Sequence, residues 1–181
     1  MKKIALAAIA VSLACFAVVS PSIAYADGAA PDMMGVREVV IDYARFADPK
    51  AAESCGLSRE QIANVLAKAF VGTNVPFVPV NEAKPPVLGV ARIELIPEIT
   101  SHTNETLDCV SYLSLSAENR VNAVIPPVAT LRSVTVVYWR QRTMAASNQS
   151  THVNLVNTVL EKMAAQFAQQ YRLDQPPELP K

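Results

Sequence analysis

Chemistry near neutral pH needs a group that trades protons or holds a metal, and two histidines, His102 and His152, are available for it. Spacing puts His102 in a polar stretch between two strands and His152 at the start of a long helix, where either could serve as a general base. Neither has a nucleophile or a second ligand close in sequence, so the ordinary reading is a solvated turn histidine and a first-turn helix residue. Glu94 and Glu98 stand four apart on a strand, an even spacing that turns both carboxylates to one face. With His102 nearby they could form the acid and base of a small hydrolase, but a solvated strand face carries the same pattern. His-Glu-x-x-His, Gly-x-Ser-x-Gly and a phosphate-cradling glycine loop are absent from the sequence, which predicts no catalytic residue, no cofactor and no metal.

The densest cluster of contact-forming side chains is Tyr138, Trp139, Arg140 and Arg142. On a strand Trp139 and Gln141 share one face and Arg140 and Arg142 the other, so an aromatic contact beside a basic ridge is the candidate partner-binding site. The plainer alternative makes Trp139 core and the arginines the wet end of the strand. Asn104-Glu105-Thr106 and Asn148-Gln149-Ser150 have the glycosylation acceptor form but read as polar loops behind a bacterial leader.

That leader is residues 1–26. Lys2 and Lys3 precede an apolar run, and Ala24-Tyr25-Ala26 is the small-x-small pattern of signal peptidase, so the chain is expected in the periplasm without a membrane-spanning segment. Lipid attachment at Cys15 is the weaker alternative, because Ser12 stands where a lipobox usually has Leu and the apolar run continues past the cysteine. Removing Lys2 and Lys3 leaves 14 basic against 16 acidic residues, which supplies no reason to expect nucleic acid as a partner. Cys55 and Cys109 then remain as an even pair in an oxidising compartment, and a structural disulfide is the expectation. Reactive thiols are the alternative, with neither a Cys-x-x-Cys motif nor a neighbouring basic cluster in sequence to favour them.

Positioning these residues falls to two helices and a sheet. Ser58 followed by Gln61 has the form of a capping box, Ile62, Val65, Leu66 and Phe70 make one stripe, and Gly72 closes the helix. A long second helix, capped by Ser150 or Thr151, carries Val153, Val156, Leu160, Met163, Ala164, Phe167 and Tyr171 at spacings of three and four. Strands are predicted over 36–46, 87–99, 107–116 and 132–142, with 75–80 at best an edge strand because of Pro76 and Pro79. Asp48-Pro49 is expected to break the first strand, Pro97 to limit the third, residues 118–120 to turn, and residues 144–151 to form a loop. Residues 121–130 resist assignment. The fold class that follows is α+β, a two-layer sandwich with a mainly antiparallel sheet of four to five strands and two helices on one face. One domain over 36–172 is expected, between a flexible entry at 27–35 and a proline-containing tail at 173–181.

Cys55-Gly56-Leu57 opening a helix, the Gly-x-x-Val-Pro-x-Val stretch at 72–78, the strand with Val110 and Leu113, Val137-Tyr138-Trp139 and the closing Gln166-Phe167-Ala168-Gln169-Gln170-Tyr171 resemble a family of uncharacterised exported bacterial proteins. Arg140-Gln141-Arg142 departs from that pattern, where smaller residues are usual. The resemblance implies an architecture and no activity. The function expected is therefore a non-catalytic periplasmic binding or envelope-assembly accessory protein with an envelope protein or lipid component as partner. A carrier of an apolar small molecule held between sheet and helices is the runner-up, ahead of the hydrolase.

Overall fold

A computed structural model of the chain describes residues 32–85, 91–104, 108–124 and 131–175. The expected leader, Cys15 and the start of the expected entry segment lie outside the described residues, as do 86–90, 105–107, 125–130 and the chain from 176 onward.

The elements run β1 (Glu38–Ile41), β2 (Arg45–Phe46), α1 (Pro49–Ser54), α2 (Arg59–Phe70), β3 (Phe77–Pro79), β4 (Arg92–Thr103), β5 (Asp108–Val124), β6 (Leu131–Asn148) and α3 (Gln149–Asp174). The fold is α+β, as the pattern of stripes and alternating strands implies. The sheet, however, is mixed and six-stranded, in the order β3-β1-β4-β5-β6 with β2 also on β4. Only β4, β5 and β6 pair antiparallel; β1 runs parallel to both β3 and β4, and β2 parallel to β4. The expectation of a mainly antiparallel sheet with four to five strands and two helices is thus corrected. The cause is the helical crossover: the chain leaves β1, passes through α1 and α2, and returns as a parallel neighbour, as β-α-β units do.

Proline bears on three further points, two of them differences and one, the edge position of β3, as expected. Asp48-Pro49 starts a helix rather than merely ending a strand: the Asp48 carboxylate accepts from the Lys50 and Ala51 N–H groups, and Pro49 fills the first helical position, where its missing N–H costs nothing. Pro79 closes β3 on the outer edge of the sheet. Pro97, expected to end its strand, lies inside β4. The Leu95 and Ile99 carbonyls on either side of it accept from Asp42 and Ala47, so by alternation Pro97 turns its nitrogen to the flank where residues 42–44 interrupt β1 and β2, and no bond to β5 is lost. That interruption adds one residue against β4, which flips the frame. Unbroken alternation would put Tyr43 on the face of Val39 and Ile41; instead Tyr43 is exposed and Ala44 is buried in its place.

Residues 118–120 are strand and not turn, since Glu118 continues β5 opposite Val137 while Trp139 pairs with Ala117, leaving Tyr138 as the extra residue of a bulge. Residues 144–148 likewise continue β6 down to the Asp108–Asn148 pair. The α3 cap is therefore Asn148, whose side-chain oxygen accepts from the Thr151 N–H, in place of Ser150 or Thr151. At the other end α3 runs past residue 172, and Asp174 and Gln175 bind the backbone of Met33, which is fully buried ahead of the expected start of the domain.

All three helices lie against one sheet face. Ile62, Leu66 and Phe70 of α2 and Val156, Leu160, Met163, Phe167 and Tyr171 of α3 close over Ile93, Leu95, Ile99, Leu113 and Leu115. The Ser58 hydroxyl accepts from the Gln61 N–H as the capping box requires, but the Gln61 side chain reaches across to Asn157 of α3, so half of the box is spent on helix pairing. Gly72, at φ 80°, ends α2 as expected. Gly56, at φ 75°, leaves α1 so close to α3 that a Cβ there would sit 2.8 Å from Val153 Cγ2.

Candidate functional site

Cys55 and Cys109 form the expected disulfide, with Cα atoms 5.8 Å apart and both residues fully buried. Cys55 caps the C-terminal end of α1 and Cys109 opens β5, so the bridge ties the helical crossover to the antiparallel half of the sheet. Thiol chemistry has no part in this arrangement.

Beside it lies a polar chain that spacing alone does not suggest. Ser101 Oγ and Ser111 Oγ are 2.8 Å apart on neighbouring strands, Ser111 Oγ is 2.8 Å from His152 Nε2, and Ser147 Oγ is 3.1 Å from His152 Nδ1. A neutral imidazole has one donor and one acceptor nitrogen, so it bridges the two hydroxyls without an ion. Ser111 and His152 meet as a nucleophile and its base would, but both are fully buried, and no carboxylate among the described residues orients the ring. The group locks the start of α3 onto β5 and β6. His152 was legible as a helix-start residue; its serine partners reveal themselves only as small polar residues at core-facing odd positions of two strands.

Burial pushes the His152 imidazole below its ordinary value of 6.5. The unfolded chain takes up a proton near 6.5 and the folded chain only at lower pH, so this contribution to stability is complete above 6.5 and drains as pH falls toward the folded value. The melting temperature is expected to drop between about pH 7 and about pH 5, and His152→Gln to melt lower at neutral pH with a flattened decline. Equal slopes for the two proteins would assign the decline to other groups. Glu118 acts in a separate window. Burial raises its carboxyl, but the Ser116 hydroxyl and the Arg140 guanidinium, with the charge of Arg45, outweigh that and hold it below 4.5. Its contribution is lost only in stronger acid.

The sheet face away from the helices is the candidate contact surface. Cross-strand register arranges it in rows: Thr100, Tyr112 and Met144; then Glu98, Ser114 and Arg142, with Arg45 beside Glu98; then Ile96, Ser116 and Arg140; then Glu94 and Glu118. Tyr112 and Met144 are 54% and 55% exposed, large apolar side chains left in the open beside charge. Arg140 donates to Glu118 at 2.7 Å. The Ser114 hydroxyl is shut away from solvent without a hydrogen-bond partner among the described residues.

The predicted cluster divides over this geometry. Trp139 faces the helices, its ring edge-on to Phe167 at 5.4 Å, and Tyr138 packs against the same core from the bulge. Arg140 and Arg142 face the other way. Trp139 and Arg140 nevertheless line one shallow depression at the β6 edge, whereas the aromatic beside Arg142 is Tyr112, one row down on β5. That depression, of about 440 Å³, is completed by Gln141 and by Gln166, Gln169 and Leu173 of α3. A second depression of about 450 Å³ lies where the ends of α2 and α3 meet, lined by Ala69, Gly72, Ala165, Ala168 and Arg172, outside the packed layer between helices and sheet.

Glu94 and Glu98 do share a face, and both are exposed. Four residues of strand separate them by about 13 Å, and four more separate Glu98 from His102. His102 is exposed, its ring edge-on to Tyr112 at 6.4 Å. The acid, base and histidine of the hydrolase reading are not brought together. Among the described residues no group of histidine, cysteine and carboxylate side chains could hold a metal ion, and no helix is long and apolar enough to cross a membrane.

Fold and site together define a disulfide-stapled α+β domain whose mixed sheet has, among the described residues, one face under helices and one face open. No family model matches the chain, and comparison with curated proteins gives no match. Among solved structures, the chain is similar to the PelC dodecamer of Paraburkholderia phytofirmans at 11% identity and a TM-score of 0.42, over 75% of this chain and 90% of that one. It is also similar to a hypothetical protein of Chlamydia trachomatis (10%, TM-score 0.33, 75% and 91% covered) and to a neuraminyllactose-binding hemagglutinin homologue of Helicobacter pylori (9%, 0.28, 78% and 86%).

Proposed function

We propose that this chain is a non-catalytic binding or assembly module of the bacterial periplasm, one of the exported family its motifs resemble, and that it engages an envelope component through the open sheet face. The observation that carries this reading is the asymmetry of the sheet. One face is filled by helices around a disulfide, and the other leaves Tyr112 and Met144 exposed next to Arg142 and Glu98. The disulfide supports an oxidising compartment, and the leader pattern supports export. A carrier would hold its ligand between sheet and helices, where Phe70, Leu160 and Phe167 are fully buried, and nothing observed favours it.

The test places a photo-crosslinking amino acid at Tyr112 or Met144 in living cells, with the same substitution at exposed Lys162 on α3 as control. Adducts of one discrete mass at the two sheet positions and none at Lys162 are expected. Irradiation that yields no adduct at either sheet position, in protein recovered from the periplasm with its disulfide formed, would sink the proposal.

A further inference from the structure

The open face carries its charges in a self-complementary order. Arg140 and Arg142 stand on β6, and no acidic residue occurs anywhere in that strand. Glu94 and Glu98 stand on β4, two strands away, and neither they nor Arg142 has an ion-pair partner among the described residues. Between them on β5 the Ser116 side chain is fully buried and the Ser114 hydroxyl is shut away from solvent, so the groups left projecting from this part of the face are the exposed Glu98 and Arg142 on either side.

We infer that this face packs against the same face of a second copy about a twofold axis running along β5; the inference rests on the reading of the open face as a contact surface. Rotation about an axis parallel to the strands keeps each residue at its own height and exchanges left for right. It therefore lays β4 of one copy over β6 of the other. Glu98 and Arg142, which share a row with Ser114, then face each other twice, once from each side, as an isologous interface requires. The exposed Tyr112 meets its own counterpart on the axis, and Met144 faces Thr100. Glu118 also meets its copy, already neutralised by Arg140 at 2.7 Å. The competing axis, in the sheet plane but across the strands, lays β4 over β4 and β6 over β6. Glu98 would then face Glu98, and Arg142 would face Arg142, so charge selects the first arrangement. Two sheets packed face to face in this way sit about 10 Å apart with their strands offset by about 30°, which centres the contact on the row of Glu98 and Arg142 and splays its ends.

Sedimentation equilibrium of the purified protein tests this. The expected result is a dimer that weakens as salt rises, with Glu98→Arg and Arg142→Glu each loosening it by about tenfold or more and the double swap restoring it. Both residues are exposed, and unchanged circular dichroism would show that the variants fold. A dimer indifferent to the single reversals, or single losses that the double swap does not recover, overturns the pairing. So does a monomer whose Tyr112 crosslinks lead to a different envelope component, although that result leaves the binding-module reading standing. A monomer with no crosslink removes both.

Discussion

Phe167→Ala is expected to cost about 3–5 kcal/mol, the largest loss from any single truncation considered for this fold. Phe167 is fully buried and meets three aromatic rings: Trp139 at 5.4 Å, Phe70 at 5.8 Å and Tyr171 at 6.3 Å. It thereby joins α2, α3 and β6 at one point. Truncation removes the ring's transfer free energy and opens a cavity that three elements held by other contacts cannot collapse into. Edge-to-face pairs add about 0.5–1.5 kcal/mol each beyond buried area, so the upper part of the range is the better expectation. Trp139 is the chain's single tryptophan, and its fluorescence reports on this cluster during urea unfolding. Phe167→Leu should recover most of the loss, and Tyr112→Ala, on the open face, should stay within about 0.5 kcal/mol of the parent. A loss below about 1 kcal/mol at Phe167 would show that the three elements do not converge there.

The second large effect belongs to the disulfide. Cys55 and Cys109 are 54 positions apart, and closing a loop of that length in the unfolded chain stabilises by about 4 kcal/mol in the chain-entropy account. Replacing both with alanine should shift the urea midpoint down by the corresponding amount. It should also raise the dependence on denaturant, because an unfolded chain without the cross-link exposes more surface. Reduction of the parent protein should reproduce the same midpoint. If the double variant unfolds where the oxidised parent does, the bridge contributes nothing, and the helical crossover is held by packing alone. Total stabilities of domains are about 5–15 kcal/mol, so either change removes a large share.

Most of the helical layer was legible before any coordinates. Ile62, Leu66 and Phe70, and the α3 stripe from Val156 to Tyr171, are buried as their periodicity requires, because a helix stripe records which side meets the core. The cysteine pairing followed from parity and from the oxidising compartment that the leader pattern leads one to expect. On the open face alternation placed Arg140 and Arg142 opposite Trp139, but the aromatic beside Arg142, Tyr112, comes from a neighbouring strand through cross-strand register. Register is a relation between distant segments and leaves no mark in either one alone.

By itself, then, the sequence determined the amphipathic elements, the start and stop of α2 and the bridge between Cys55 and Cys109, all of which depend on a residue's own neighbours or on a count. The tertiary structure alone decided the parallel pairing of β1, the passage of β4 through Pro97, the burial of Met33 under Asp174 and Gln175, and the seating of His152 between Ser111 and Ser147. These rest on contacts between residues as far as 142 positions apart, where packing many segments together at once sets the outcome.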